Sequence, residues 1–136
     1  MSITFTNFRN PAWEEKIFLE LHTHLEKETG LHTVPAQGFH SFFETQHIGS
    51  VIFKKQGHIL WIDGLFVDAV FRRQKIGTKL IDQVIEFSMT NDVKWVQLNT
   101  FFPEARDFFK SCQFEETASL PNWKYGLTSY FMKRTL

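Results

Sequence analysis

Arg72, Arg73, Lys75 and Lys79 crowd around Gly77 in the stretch FRRQKIGTKLI, Phe71 to Ile81, and an apolar run, ILWIDGLFV, ends only four residues earlier. If Ile76 to Lys79 forms the first turn of a helix, its unpaired N–H groups and roughly half a positive charge make a phosphate-binding end. Arg72, Arg73 or Lys75 would reinforce it. The expected ligand is a polyanion, a pyrophosphate above all. The same residues also describe a plain solvated turn, since a glycine among cations at a helix start is not specific by itself. Asp63 is the one acid inside the apolar run. Burial there would raise its pKa toward the range of a useful base, and a structural aspartate bonded to a neighbouring loop or strand end is the competing reading.

Other reactive residue types point nowhere. His22 and His24 are two apart on a helix and face different ways, and His32, His40, His47 and His58 have no ligand spacing, so no metal site is expected. Cys112 has no evident activating partner and reads as packing. Tyr125 and Tyr130 read as packing aromatics.

The basic turn needs a strand before it and a helix after it, and the pattern supplies both. Leu80, Ile81, Val84, Ile85 and Ser88 make one face of a helix running to about Asn91, with Lys79, Asp82, Gln83 and Glu86 on the other. Upstream, FHSFFETQ, HIGSVIFKK and HILWIDGLFV are rich in aromatic and β-branched residues, and Gln56-Gly57 is the expected turn between the last two, which gives a three-strand antiparallel meander. Further upstream, SITFTNF alternates Ile3, Phe5 and Phe8 as a first strand. Asn10 then caps a helix with Pro11 at its first position, Trp13, Ile17, Leu21 and Leu25 on one stripe, and Gly30 as its stop. Downstream, KWVQLNT reads as a buried strand, PEARDFFKSC as a short helix, FEETAS as a strand, and SYFMKRTL as a closing strand after a loop holding Pro121, Asn122 and Gly126. The order is β-α-βββ-α-β-α-ββ. A strand–helix–strand step inside an antiparallel sheet requires a mixed sheet with a right-handed crossover.

Length and composition are consistent with this. At 136 residues the expectation is a single domain over 1–136, burying roughly two-thirds of its unfolded surface. Fifteen basic and fifteen acidic residues remove a global electrostatic argument for nucleic acid. No apolar run approaches the ~18 residues needed to span a bilayer, and MSITFTNFRN lacks a signal-peptide core, so a cytoplasmic protein is expected. Phe42, Phe43, Phe53, Phe101 and Phe102 are expected in the core, those near loop ends being candidates to wall a pocket.

The segment IDGLFVDAVFRRQKIGTKLIDQVIEFS resembles the cofactor-binding core of the GCN5-related N-acetyltransferase (GNAT) superfamily, with its strand, Arg/Gln-x-x-Gly-x-Gly/Ala turn and helix. Arg72 fills the first motif position and Gly77 the last, while Lys75 stands where the first glycine is usual. VQLNTFFPEARDFFKSCQFEE is similar to that superfamily's next strand and helix, and TSYFMKRTL to its final strand, so the resemblance covers about residues 38 to 136.

The resemblance implies an α/β (α+β) fold: a mixed, mostly antiparallel twisted sheet flanked by helices, with two splayed parallel strands, 59–67 and 94–100. It implies acetyl-coenzyme A as co-substrate, with no metal. Backbone at Leu65, Phe66 and Val67 would pair with the pantetheine arm. The turn Arg72, Arg73, Gln74, Lys75, Ile76, Gly77 and Thr78 would take the pyrophosphate, and Asn99, Phe108 and Phe109 would border the thioester. Asp63 stands where relatives often hold a carboxylate that accepts an amine proton. Phe109 occupies the place of a common tyrosine acid, leaving Tyr130 or Tyr125 to replace it, and Gln113 replaces a common glycine before Phe114. The implied reaction moves an acetyl group to a primary amine, of a small molecule or a protein. The alternative is a GNAT-fold module that holds acyl-coenzyme A without turning it over. No nucleic-acid or membrane partner is implied, and either a monomer or a homodimer fits.

Overall fold

The structure, a computed structural model, describes residues 2–5, 7, 9–29 and 35–136. They fall into two compact units, Met1–His32 and Thr33–Leu136.

In the first unit, helix α1 spans Pro11–Thr29. Asn10 caps it as expected: its Oδ1 accepts from the Trp13 N–H at 3.2 Å, and its carbonyl from the Glu14 N–H at 3.0 Å. The expected stop at Gly30 lies outside the described residues. Where a first strand was expected, the described residues 2–5 and 7 carry none, and Thr6 and Phe8 lie outside the described residues. Alternation makes a face, but a strand exists only where an edge accepts its hydrogen bonds.

In the second unit, β1 (Gln37–Phe43), β2 (Gln46–Gln56), β3 (Ile59–Val67), β4 (Trp95–Thr100), β5 (Glu115–Lys124) and β6 (Leu127–Thr135) form one sheet in the order β1-β2-β3-β4-β6-β5. Every neighbouring pair is antiparallel except β3 and β4. The β3–β4 crossover holds a short 3₁₀ turn, Ala69–Phe71, and helix α2, Ile76–Thr90; helix α3, Pro103–Ser111, follows β4. The helical face expected of α2 is the buried one: Leu80, Ile81, Val84, Ile85 and Ser88 join Val51, Phe53, Leu60, Ile62, Val96, Leu98 and Met132 of the sheet, with Phe109 and Cys112 of α3.

Two turns differ from expectation. The β2–β3 ladder closes at Gln56↔Ile59, so the loop is Gly57-His58, one residue late, with Gly57 at φ 60. The expected loop around Pro121 is instead strand: β5 runs through Pro121 and Asn122, and only Tyr125-Gly126 turns. Proline is tolerated there because β5 is the edge strand, exposed throughout, and its ladder with β6 is irregular between Leu120 and Lys124. Positive φ at Tyr125 (51) and Gly126 (73) suits a two-residue hairpin.

The end of α3 explains the glycine that Gln113 replaces. The Gln113 N–H donates to the Lys110 carbonyl and the Phe114 N–H to the Phe109 carbonyl, both at 3.0 Å, and the Phe109 and Phe114 rings meet with centroids 5.5 Å apart. This is a Schellman closure with its left-handed residue occupied by Gln113, φ 69. Gln113→Gly should therefore stabilise the protein by about 0.5–1 kcal/mol: it removes a left-handed penalty of about 1–2 kcal/mol and concedes part of it to unfolded-chain entropy. Urea unfolding checks this, and a lowered midpoint would mean the Gln113 side chain contributes more than its backbone strain removes.

Candidate functional site

The site begins with a defect in the β2–β3 ladder. Ile52 pairs with Gly64 but Phe53 pairs with Ile62, so Asp63 has no opposite residue. Such a bulge sharpens the local twist. On its other side β3 pairs with β4 only at Ile59↔Trp95, Leu60↔Val96 and Trp61↔Gln97, and beyond these the two strands part. The β4-facing edge of β3 from Ile62 to Val67 is thus left without a strand, and a cleft of about 1030 Å³ opens between the strand ends. Leu65, Phe66 and Val67 line it from β3, Asn99 from β4, and Phe108 and Phe109 from α3.

The basic turn closes one end of this cleft, with Arg72, Arg73, Lys75, Ile76, Gly77 and Thr78 all lining it. Asp68 starts the turn by accepting from the Val70 N–H at 3.0 Å. The Arg72 Nε donates back to the Val67 carbonyl at 3.0 Å, which folds the side chain across the turn. Arg73 (φ 64) and Lys75 (φ 62) are both left-handed, and Lys75 is the N-cap residue of α2, with no capping bond from its side chain. That is why a glycine is usual at position 75. The first α2 bond is Lys79 N–H to the Lys75 carbonyl, 3.0 Å, so the N–H groups of Ile76, Gly77 and Thr78 precede the helical ladder. Gly77 is helical, and its value is closeness: a Cβ there would lie 3.2 Å from Phe108 Cζ and 3.7 Å from Val67 Cγ2.

Asp63 lines the cleft, but it is exposed, not buried as the sequence suggested. It alternates with buried Leu60 and Ile62, so its carboxylate faces the other side, toward Lys54 of β2, with Oδ2 3.4 Å from Nζ. Asn99 is half-buried and donates from Nδ2 to the Ser129 hydroxyl at 3.4 Å. Phe109 is buried and packs edge-on against Phe108, centroids 5.2 Å apart.

Two expected site residues are not brought in. Gln74 is exposed in the turn and does not line the cleft, and Tyr130 of β6 lies outside it, its ring 4.8 Å from the Arg106 guanidinium carbon. Tyr125 is exposed at the hairpin tip. Phe101 and Phe102, expected in the core or as a pocket wall, line the cleft, and so do residues that were not singled out, Phe71, Gly64, Leu98, Glu104 and Ala105 among them. The one sequence signal was the spacing of Glu104, Ala105, Phe108 and Phe109, which share a face of α3. Cys112 is buried, and burial pushes its thiol up, as fits an inert packing group. Among the described residues no group of three or more His, Cys, Asp or Glu side chains is placed to hold a metal, and no helix is long and apolar enough to cross a membrane.

The model of the acetyltransferase (GNAT) family matches residues 4–114. No curated protein matches the chain. Among solved structures, an acetyltransferase from Bacillus cereus ATCC 14579 superposes with a TM-score of 0.78 at 18% identity, covering 98% of both chains. The ribosomal-protein-S18-alanine N-acetyltransferase from Escherichia coli gives 0.68 at 16% identity, over 82% of this chain and 83% of that one. An aminoglycoside 6'-N-acetyltransferase complexed with coenzyme A gives 0.67 at 12% identity, over 99% of this chain and 97% of that one. Identities this low speak for a shared fold, and the three-helix, six-strand mixed sheet with its one parallel pair is that fold.

Proposed function

We infer, for a chain that belongs to the acetyltransferase (GNAT) family, that it moves an acetyl group from acetyl-coenzyme A to the primary amine of an acceptor. The observation that carries this is one cleft joining an unpaired strand edge, Ile62 to Val67, to the free N–H groups at the start of α2. An extended pantetheine arm suits the first, since it can add to the edge as a strand does. A pyrophosphate suits the second, where the helix end and Arg73 and Lys75 supply positive charge.

Acetyl-coenzyme A supplies the thioester; the amine nitrogen forms the new C–N bond as the C–S bond breaks, and coenzyme A leaves as a thiolate. The chain's own part is orientation and proton handling. Backbone N–H groups at Leu65 to Val67 hold the carbonyl side of the donor and steady its developing negative charge. Asp63, exposed on the cleft wall, takes the proton the amine gives up. Phe109 has no hydroxyl to protonate the departing sulfur, but a thiol has a pKa near about 8.5, so its thiolate leaves without one at neutral pH. That missing hydroxyl also favours a second reading, a module that binds acyl-coenzyme A without turnover.

Coenzyme A at about a hundredfold its dissociation constant should stabilise the fold by about 2.7 kcal/mol. Acetyl-coenzyme A with a panel of primary amines should release free thiol steadily, together with one acetylated amine per thiol. Stabilisation without thiol release would select the binding module; no stabilisation would remove both readings.

A further inference from the structure

We propose that the acceptor is a primary amine on an apolar, ring-bearing body with a single positive charge, docked on Phe66 and Phe102 beside Asp63; this rests on the acetyl-transfer reading above. Both rings line the cleft, yet both stand largely in water, Phe66 53% and Phe102 56% exposed, while Phe53 is fully buried. Leu65 and Val67 pack against the core, so Phe66, between them on β3, faces the opposite way. It stands two residues beyond Gly64, where the ladder resumes after the unpaired Asp63.

Phe102 is the more telling residue. It is the N-cap of α3, extended at φ −121, and makes no capping bond. Ser, Thr, Asp or Asn would satisfy an orphan N–H there and stabilise the helix. A ring at this position gives up that bond and leaves apolar surface facing a cleft, which is sensible where a ligand covers it. The cleft is also open at Gly64, next to Asp63 in the chain, where a Cβ would meet nothing within 4 Å.

Charge sets the second half of the assignment. The cleft is lined by three cations, Arg72, Arg73 and Lys75, against two carboxylates, Asp63 and Glu104. Asp63 is shared with Lys54, 3.4 Å away, and Glu104 sits in the first turn of α3, where the helix end already holds a negative charge. A polyamine or an aminoglycoside would bring several ammonium groups to a wall with no further carboxylate to receive them. One ammonium on an apolar body meets one acid and two rings.

The experiment compares 2-phenylethylamine with spermidine and kanamycin on the protein loaded with coenzyme A or acetyl-coenzyme A. Thiol release should show kcat/KM for 2-phenylethylamine at least about tenfold higher than for either polycation, and ligand-observed NMR should detect its binding. Burying a ring supports a factor of about ten, so Phe66→Ala and Phe102→Ala should each weaken it about that much, and Phe102→Ala should hold coenzyme A affinity within about twofold. Phe102→Ser restores a capping side chain, so it should fold at least as stably and still lose 2-phenylethylamine. Preference for spermidine or kanamycin, or an unchanged Phe102→Ser, overturns the proposal. So does a wild type that binds no 2-phenylethylamine. If 2-phenylethylamine binds and Phe102→Ser loses it, but no amine releases thiol, the docking surface stands and the transfer reading fails.

Discussion

Asp63→Asn should lower turnover on an amine acceptor by about a hundredfold or more and leave coenzyme A affinity nearly intact. A positioned general base contributes about that much, and an amide of the same size cannot take the proton. The fold should tolerate the change. The carboxylate sits at a ladder defect, and its one ion pair, to Lys54, lies on an exposed surface, where such pairs contribute at most about 1 kcal/mol. Rate and stability therefore separate the two readings of this residue. A hundredfold slower enzyme with an unchanged unfolding midpoint is a lost base, whereas an unchanged rate with a lowered midpoint makes Asp63 part of the scaffold.

Gly77→Val should weaken coenzyme A about tenfold or more, and more than Lys75→Gly does. The first Cβ alone would stand 3.2 Å from Phe108 Cζ, tighter than most Cβ contacts, and valine adds two methyl groups on a stiff branch. The Phe108 ring must yield, and it lines the cleft beside the unpaired N–H groups. Lys75→Gly acts the other way on the backbone, relieving a left-handed φ of 62 while removing one cation. Calorimetry on both variants, with folding checked by circular dichroism, gives the ordering. Equal losses, or a larger loss for Lys75→Gly, would mean that charge rather than close packing governs the turn.

Much of this architecture is written in periodicity. The α2 face from Leu80 to Ser88 recurs at helical spacing and is the buried face, and Asn10 before Pro11 marked the start of α1. The basic turn was legible because strand, cations, glycine and helix stand in one short segment. What was not legible depends on where a strand breaks its own alternation. Asp63 was expected to be buried because it stands inside an apolar run, but it alternates with buried Leu60 and Ile62 and so faces the other side, toward Lys54, and the unpaired position then shifts the alternation so that Leu65 and Val67 pack on the core. Tyr130 failed to reach the cleft for a related reason, since the face of β6 follows from pairing that no local pattern encodes. Phe42 and Phe43 were expected in the core on hydrophobicity, yet both are exposed at the end of β1, while exposed Phe102 lines the cleft, as the alternative of a loop-end ring on a pocket wall requires. Lys75 and Gln113 are instructive in the opposite sense: departures from a glycine pattern, they sit at positive φ, so the glycines they replace had a conformational reason.

The central claim is that coenzyme A places its pyrophosphate on the start of α2. Its most direct test is the backbone amide spectrum of the isotope-labelled protein during titration with coenzyme A. The account predicts large, saturable shifts at Ile76, Gly77 and Thr78, with companion shifts at Leu65 to Val67 along the open edge of β3. Saturation that leaves the Ile76 to Thr78 amides unmoved, or shifts confined to another surface, would contradict it.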